Sequence, residues 1–298
     1  MRILHLFICV GYPMISSNDS KKAIIFSYEK WKEAGRSQKV HVLKSLKKEI
    51  AKNLGINSKI KLVFSKVMLA SGSYSQEKNT LTLSEPLVIH GTQLIAPGVG
   101  VVRPNSNIYV LFTMCHELEH CAQSQRVQGK IAWRNEDDQS GITTNLRTNV
   151  ERQAIPYIKG MAKATHSYEL YQLQPSEYGA NQRALREIGI LCDRYQDYCS
   201  KTEIAEIAKA VQSIASENDP SIKMQKIYGT SDIVQDLSRC LQNLFAGKQY
   251  PVPPALMQDV RNACEASYRY IQSDQYKQME ALLKREINHE LAKQECER

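Results

Sequence analysis

Residues 103–123, Arg103-Pro104-Asn105-Ser106-Asn107-Ile108-Tyr109-Val110-Leu111-Phe112-Thr113-Met114-Cys115-His116-Glu117-Leu118-Glu119-His120-Cys121-Ala122-Gln123, decide how the chain is read. Arg103-Pro104-Asn105-Ser106 combines turn residues with an N-cap, which supplies the acceptor that the first helical N–H groups lack. Ile108, Leu111, Phe112, Cys115 and Leu118 then recur at three- and four-residue spacing, the buried stripe of an amphipathic helix. His116 and His120 fall mid-helix and four apart. Their imidazoles therefore share one face and can hold one metal ion, with Glu117 beside its open side. H-E-x-x-H on a helix is half of a zinc hydrolase site.

Such a site needs a third protein ligand and one position left for water. A third His in the longer pattern H-E-x-x-H-x-x-G-x-x-H does not supply it, because the chain has Gln123 and Arg126 where that Gly and His belong. The alternative is a Glu from a later helix. In Tyr171-Gln172-Leu173-Gln174-Pro175-Ser176-Glu177-Tyr178-Gly179-Ala180-Asn181, Pro175 suits a first helical turn, and Glu177 would project near the helix N-terminus. Glu151, on what reads as the next helical stretch, is the runner-up ligand. Glu119 points away from the histidine face and is expected in solvent or bridged to Arg126, while Glu136, Asp137 and Asp138 read as a solubilising polar loop. His5, His41, His90 and His166 are isolated and read as surface or hydrogen-bonded histidines. His289-Glu290 lacks a second His, with Lys293 in its place.

At these positions the chain resembles the Glu-ligand zinc metallopeptidases, the gluzincins, above all small bacterial and phage-type members. Their pattern runs H-E-L-x-H-x-x-Q and then Q-P-x-E-x-x-A. Here His116-Glu117-Leu118-Glu119-His120-Cys121-Ala122-Gln123 and Gln174-Pro175-Ser176-Glu177-Tyr178-Gly179-Ala180 stand in those places, and the resemblance covers residues 60–190. It implies Zn2+ held by His116, His120 and Glu177, and hydrolysis of a protein or peptide substrate by metal-activated water. Glu117 would be the general base that accepts the water's proton and hands it to the leaving amine. It also implies a zincin-like small sheet whose edge, in residues 74–90, takes the substrate as a further strand. The wider family often has an Asp four residues after the ligand Glu, orienting a zinc-bound His. Asn181 stands there, with an amide oxygen that can accept the same N–H bond but carries no charge. Tyr168, Tyr171, Tyr178, His166 and Arg183 are the candidate oxyanion donors, from their closeness in sequence to Glu177.

Outside the motif the pattern adds architecture. Residues 19–54 read as two helices, with Val40, Leu43, Leu46, Ile50 and Leu54 at helical spacing and Gly55 as C-cap. Residues 60–67 and 79–83 carry strand signals, with Ser71-Gly72-Ser73 as a turn; Gly98-Val99-Gly100 also reads as a turn. From residue 200 the chain is helical, Pro251, Pro253 and Pro254 separate two blocks, and residues 257–296 form a helix or helix pair. The expected fold is α+β and mostly helical: a small sheet plus the metal-site helix in residues 1–200, and a helical C-terminal subdomain in residues 201–298.

The length of 298 residues suits one catalytic domain with an extension or two packed domains, and no apolar run approaches a membrane span. The net charge of +8 comes from lysines and arginines scattered over amphipathic helices without stacking aromatics. That speaks against a nucleic-acid partner and leaves an acidic protein substrate or an anionic membrane surface. Arg2 before Leu4, Leu6, Phe7, Ile8, Cys9 and Val10 reads either as a signal segment or as a buried strand. The eight cysteines form no C-x-x-C pair, so reduced thiols are expected, with Cys192 and Cys199 the sequence-close pair that could bridge. Residues 280–298 are similar to the Glu-rich tails that address bacterial effectors to type IV secretion. That resemblance implies a secreted effector protease acting on a host protein, with the bacterial cytoplasm as the alternative location. A housekeeping or phage-type peptidase and a non-catalytic zincin-fold binding module are the other function classes.

Overall fold

The computed structural model describes residues 17–57, 59–96, 98–149 and 151–296. The apolar stretch from Arg2 to Val10, with its signal and strand readings, lies outside the described residues, as do His5 and Cys9. In chain order the helices and strands are α1 Ser17–Lys22, α2 Tyr28–Glu33, α3 Arg36–Asn53, β1 Lys61–Ser65, β2 Gly72–Ser75, β3 Thr80–Ser84, α4 Glu85–His90, β4 Thr92–Ala96 and β5 Val99–Val102. They continue with α5 Ser106–Val127, α6 Gln139–Asn145, α7 Ser167–Leu173, α8 Pro175–Tyr195, α9 Lys201–Glu217, α10 Ser221–Tyr228, α11 Ile233–Phe245, α12 Pro254–Gln272 and α13 Asp274–Cys296. The fold is α+β and mostly helical, with a small mixed three-stranded sheet and long C-terminal helices, as expected. No described helix is long and apolar enough to cross a membrane.

One compact unit comprises the described residues up to Cys121, then Arg183–Ile214, then those from Glu286 on. Helix α3 ends where Gly55 turns left-handed at φ +71, with its N–H on the Lys52 carbonyl and the Ile56 N–H on Ala51, a stop that glycine makes without Cβ strain. The sheet runs β1-β3-β2, with β1 parallel to β3 and β2 antiparallel to it. All five residues of β3 are buried, so this strand is the centre and not the expected edge within residues 74–90. Within that stretch Tyr74 and Ser75 belong to β2, which is an edge of the sheet, and residues 85–90 form α4. Ser71-Gly72-Ser73, expected as a turn, instead enters β2: the pairing of Gly72 with Leu83 and the Ser84 N–H on the Ser71 carbonyl at 2.9 Å outweigh the local Gly/Ser signal. Gly98 is a turn residue as expected, left-handed at φ +74, while Val99 and Gly100 open β5, which forms a hairpin with β4; a Cβ at Gly100 would collide with Thr92.

The last turns of α13 bind along β1. Glu286 accepts from the Ser65 hydroxyl and from the Lys66 N–H at 2.8 Å, Gln294 donates to the Leu62 carbonyl at 3.0 Å, and Lys78 donates to Asn288 at 2.7 Å. Lys61 pairs with Glu295 at 3.2 Å. An edge strand covered by side chains in this way is closed to pairing with another chain.

The second unit comprises Ala122–Gln182 and Ala215–Arg285. Its core joins Ile158, Leu170 and Leu173 to Leu237, Leu241, Leu256 and Val260 from α11 and α12. The loop acids prove to be structural. Asp137 pairs with Arg134 at 2.9 Å and with the buried Arg126 at 3.4 Å, and Asp138 caps α6 by accepting the Gly141 N–H at 2.9 Å. Glu151 lies exposed in a turn and not on a helix, because α6 ends at Asn145 and the chain runs irregularly to Pro156.

The seven described cysteines are free thiols, Cys192 and Cys199 among them. Burial pushes Cys192 and Cys240 up to about 12, which keeps them protonated and poorly nucleophilic.

Candidate metal centre

Helix α5 starts at Ser106, and the apolar stripe Ile108, Leu111, Phe112, Cys115 and Leu118 is buried along it. His116 and His120, one turn apart, meet edge to face with ring centroids 4.6 Å apart and planes at 88°. Their Nε2 atoms come within 3.0 Å of each other. Glu177, in the first turn of α8, brings a carboxylate oxygen to the same place, and one ligand atom from each of His116, His120 and Glu177 lies within 4.8 Å of the others. Among the described residues this is the group of three able to hold a metal ion. It contains all three expected ligands.

Glu117 is buried next to His116, and its surroundings explain a glycine. A Cβ on Gly72 of β2 would stand 2.6 Å from the Thr113 methyl and 3.0 Å from Glu117 Cγ. The strand backbone therefore lies directly against the turn of α5 that carries Glu117. Further along β2, the Tyr74 hydroxyl donates to Asn79 at 3.2 Å, and burial pushes this phenol's pKa up.

The start of α8 is fixed by a buried amide network. Gln123 Nε2 donates to the Ser176 carbonyl at 2.8 Å, and Gly179 leaves room for that amide. Asn145 Oδ1 accepts the Ser176 N–H at 3.1 Å, and Asn145 Nδ2 donates to Gln174 Oε1 at 2.9 Å. Gln174 in turn bonds the backbone of Ile158 twice, accepting its N–H at 2.9 Å and donating to its carbonyl at 3.0 Å. The run Gln174-Pro175-Ser176-Glu177 thus has a physical reading: an amide clamp, a helix-starting proline, a bonded serine and the candidate ligand.

That clamp delivers a residue absent from the sequence reading. The hydroxyl of Tyr157 donates to Glu177 Oε1. Tyr157 sits in irregular chain with no periodicity to mark it, so no local signal distinguishes it from the other tyrosines. Lys159 lies beside it with Nζ 4.8 Å from its ring centroid; burial lowers the pKa of this lysine, against the opposing pull of Glu177 and Glu280.

The remaining expectations divide. Glu119 is fully buried, not solvated, because α5 is enclosed even on its polar positions; Gln123, Gln125 and Arg126 are buried with it. Glu151 stands outside the ligand group. Among the oxyanion candidates, Arg183 is engaged with Glu187 at 2.5 Å, and His166 packs on the Tyr228 ring at 6.3 Å. Tyr171 lies 6.2 Å from the Tyr157 ring and 6.4 Å from Tyr168, and burial pushes the Tyr178 phenol up. Asn181 places its amide nitrogen 3.5 Å from the Asn218 carbonyl. His41, His90 and His289 contribute nothing to the group.

No protein family, curated protein or solved structure matches the chain. The His116/His120/Glu177 triad is compatible with a gluzincin-like site, and the residues themselves carry the functional reading.

Proposed function

We propose that the protein is a zinc-dependent endopeptidase of the gluzincin type, with His116, His120 and Glu177 as ligands and Glu117 as general base. The observation that carries this is the convergence of the two histidines of H-E-x-x-H with the glutamate of Q-P-x-E. The donor set fits zinc: a tetrahedral ion with Zn–N bonds of 2.0–2.1 Å separates two nitrogen ligands by about 3.3 Å, close to the 3.0 Å between the two Nε2 atoms. Two nitrogens and one carboxylate leave a fourth position, as in hydrolytic sites. When bound, zinc supplies a Lewis acid that lowers the pKa of a water ligand and polarises a carbonyl. Glu117 would act beside that site as the general base, accepting a proton from the attacking water and passing it to the departing amine.

The substrate reading is a protein or peptide. The edge strand β2 lies against α5 at Glu117, where an extended chain can add as a further strand. The basic charge favours an acidic protein; delivery by type IV secretion into a host cell rests on the resemblance of residues 280–298 to Glu-rich secretion tails, of which Glu286 and Glu295 are engaged at β1. The test combines zinc analysis with mass-spectrometric identification of proteins cleaved in host-cell lysate by wild type and by Glu117→Gln. We expect near one equivalent of zinc in both and cleavage only by the wild type, since proton transfer by such a residue contributes a hundredfold or more, roughly. Comparable cleavage by both would sink the mechanism. Zinc binding without any cleaved protein would favour the binding-module reading.

A further inference from the structure

The stretch around Tyr157 is held from both sides by buried polar side chains. Asn145 Nδ2 donates to the Pro156 carbonyl at 2.6 Å, Gln174 bonds both backbone groups of Ile158, and the Lys159 N–H donates to Ser267 Oγ at 2.8 Å. Asn145, Gln174 and Ser267 are all buried. The backbone of Pro156, Ile158 and Lys159 is thereby held on both sides of Tyr157 in a segment without regular secondary structure, and the Tyr157 hydroxyl reaches Glu177 Oε1. The Lys159 ammonium over the ring and the edge of Tyr171 against it further limit the phenol's rotation.

A carboxylate has two oxygens, and a ligand glutamate can offer a metal one or both. A phenol hydrogen bond on one oxygen both orients the group and lowers that oxygen's readiness to bind the metal. We propose that Tyr157 is a positioning residue for Glu177, holding its carboxylate as a one-oxygen ligand so that a fourth coordination position stays open. The inference rests on the metal-site reading above and adds to it a specific role for a residue that touches neither motif histidine.

The test uses Co2+ as a spectroscopic substitute for zinc in the full-length metal-free protein. Wild type is expected to bind Co2+ with the intense visible band of a four-coordinate site. Tyr157→Phe removes only the hydroxyl from a half-buried ring and is expected to keep the fold, read by circular dichroism. It should lower Co2+ and Zn2+ affinity about 10- to 100-fold in competition with a chelator. Its visible band should weaken as the second Glu177 oxygen joins the metal and the coordination number rises. An unchanged band and affinity in Tyr157→Phe, with affinity lost in Glu177→Ala, would overturn the role of Tyr157 while leaving the metal site intact. Absence of Co2+ binding by the wild type would overturn the metal-site reading and this inference with it.

Discussion

In α5 the position of each functional side chain follows from backbone hydrogen bonds between residues four apart, whereas in residues 156–158 it follows from amide side chains of Asn145 and Gln174. The helix needs nothing beyond its own period to place His116 and His120 on one face. The irregular stretch needs partners 11 and 16 residues away in sequence to hold Pro156 and Ile158. The first arrangement depends on no single side-chain hydrogen bond for its backbone geometry, because each backbone bond in the helix is redundant with the next. The second has no such redundancy.

Metal binding gives the largest expected separation. His120→Ala and Glu177→Ala should each lower zinc affinity by orders of magnitude, measured by chelator competition, while Glu151→Ala in its exposed turn should leave it unchanged. Full zinc in the Glu177 variant with loss in the Glu151 variant would reverse the ligand assignment. Gln174→Ala attacks the clamp. It leaves the buried N–H and carbonyl of Ile158 and the amide of Asn145 without this partner, so unfolding in denaturant should show a loss of about 3 kcal/mol. A loss under about 1 kcal/mol, the worth of one ordinary hydrogen bond, would show that the stretch is held by packing instead.

Gly72→Ala tests the helix side of the comparison by pressing a methyl onto Thr113 and Glu117. A destabilisation of about 1–3 kcal/mol is expected, together with reduced hydrolysis as Glu117 is displaced. Wild-type stability and activity would mean that β2 recedes freely. The smallest effect belongs to the cap of α6: Asp138→Ala should cost about 1 kcal/mol in thermal or chemical unfolding and leave zinc content intact.

The same contrast explains what could be read in advance. His116, Glu117, His120 and the stripe from Ile108 to Leu118 are periodic, and Pro175 announces the helix that carries Glu177, so the candidate ligand set was visible in local pattern. Tyr157 was hidden because its place depends on long-range amide bonds that leave no period behind. The Gly/Ser content of residues 71–73 concealed β2 for a related reason: the glycine is there for close approach to α5, not for a turn, and spacing alone does not separate those two uses. The solvent-facing reading of Glu119 failed because an acidic residue at a helix position usually faces water, and only the tertiary enclosure of α5 buries it.

The clasp between α13 and β1 has a consequence for how the chain is made. Leu62 meets Gln294 across 232 positions, and Ser65 meets Glu286 across 221. During synthesis, β1 leaves the ribosome long before its covering side chains exist, and at typical elongation rates of about 5–20 residues per second that interval lasts on the order of ten seconds or more. Until then one flank of the sheet is bare and able to recruit another strand. The nascent protein is therefore most in need of a chaperone in that interval, and a ribosome stalled short of residue 286 would hold a chain predisposed to aggregate.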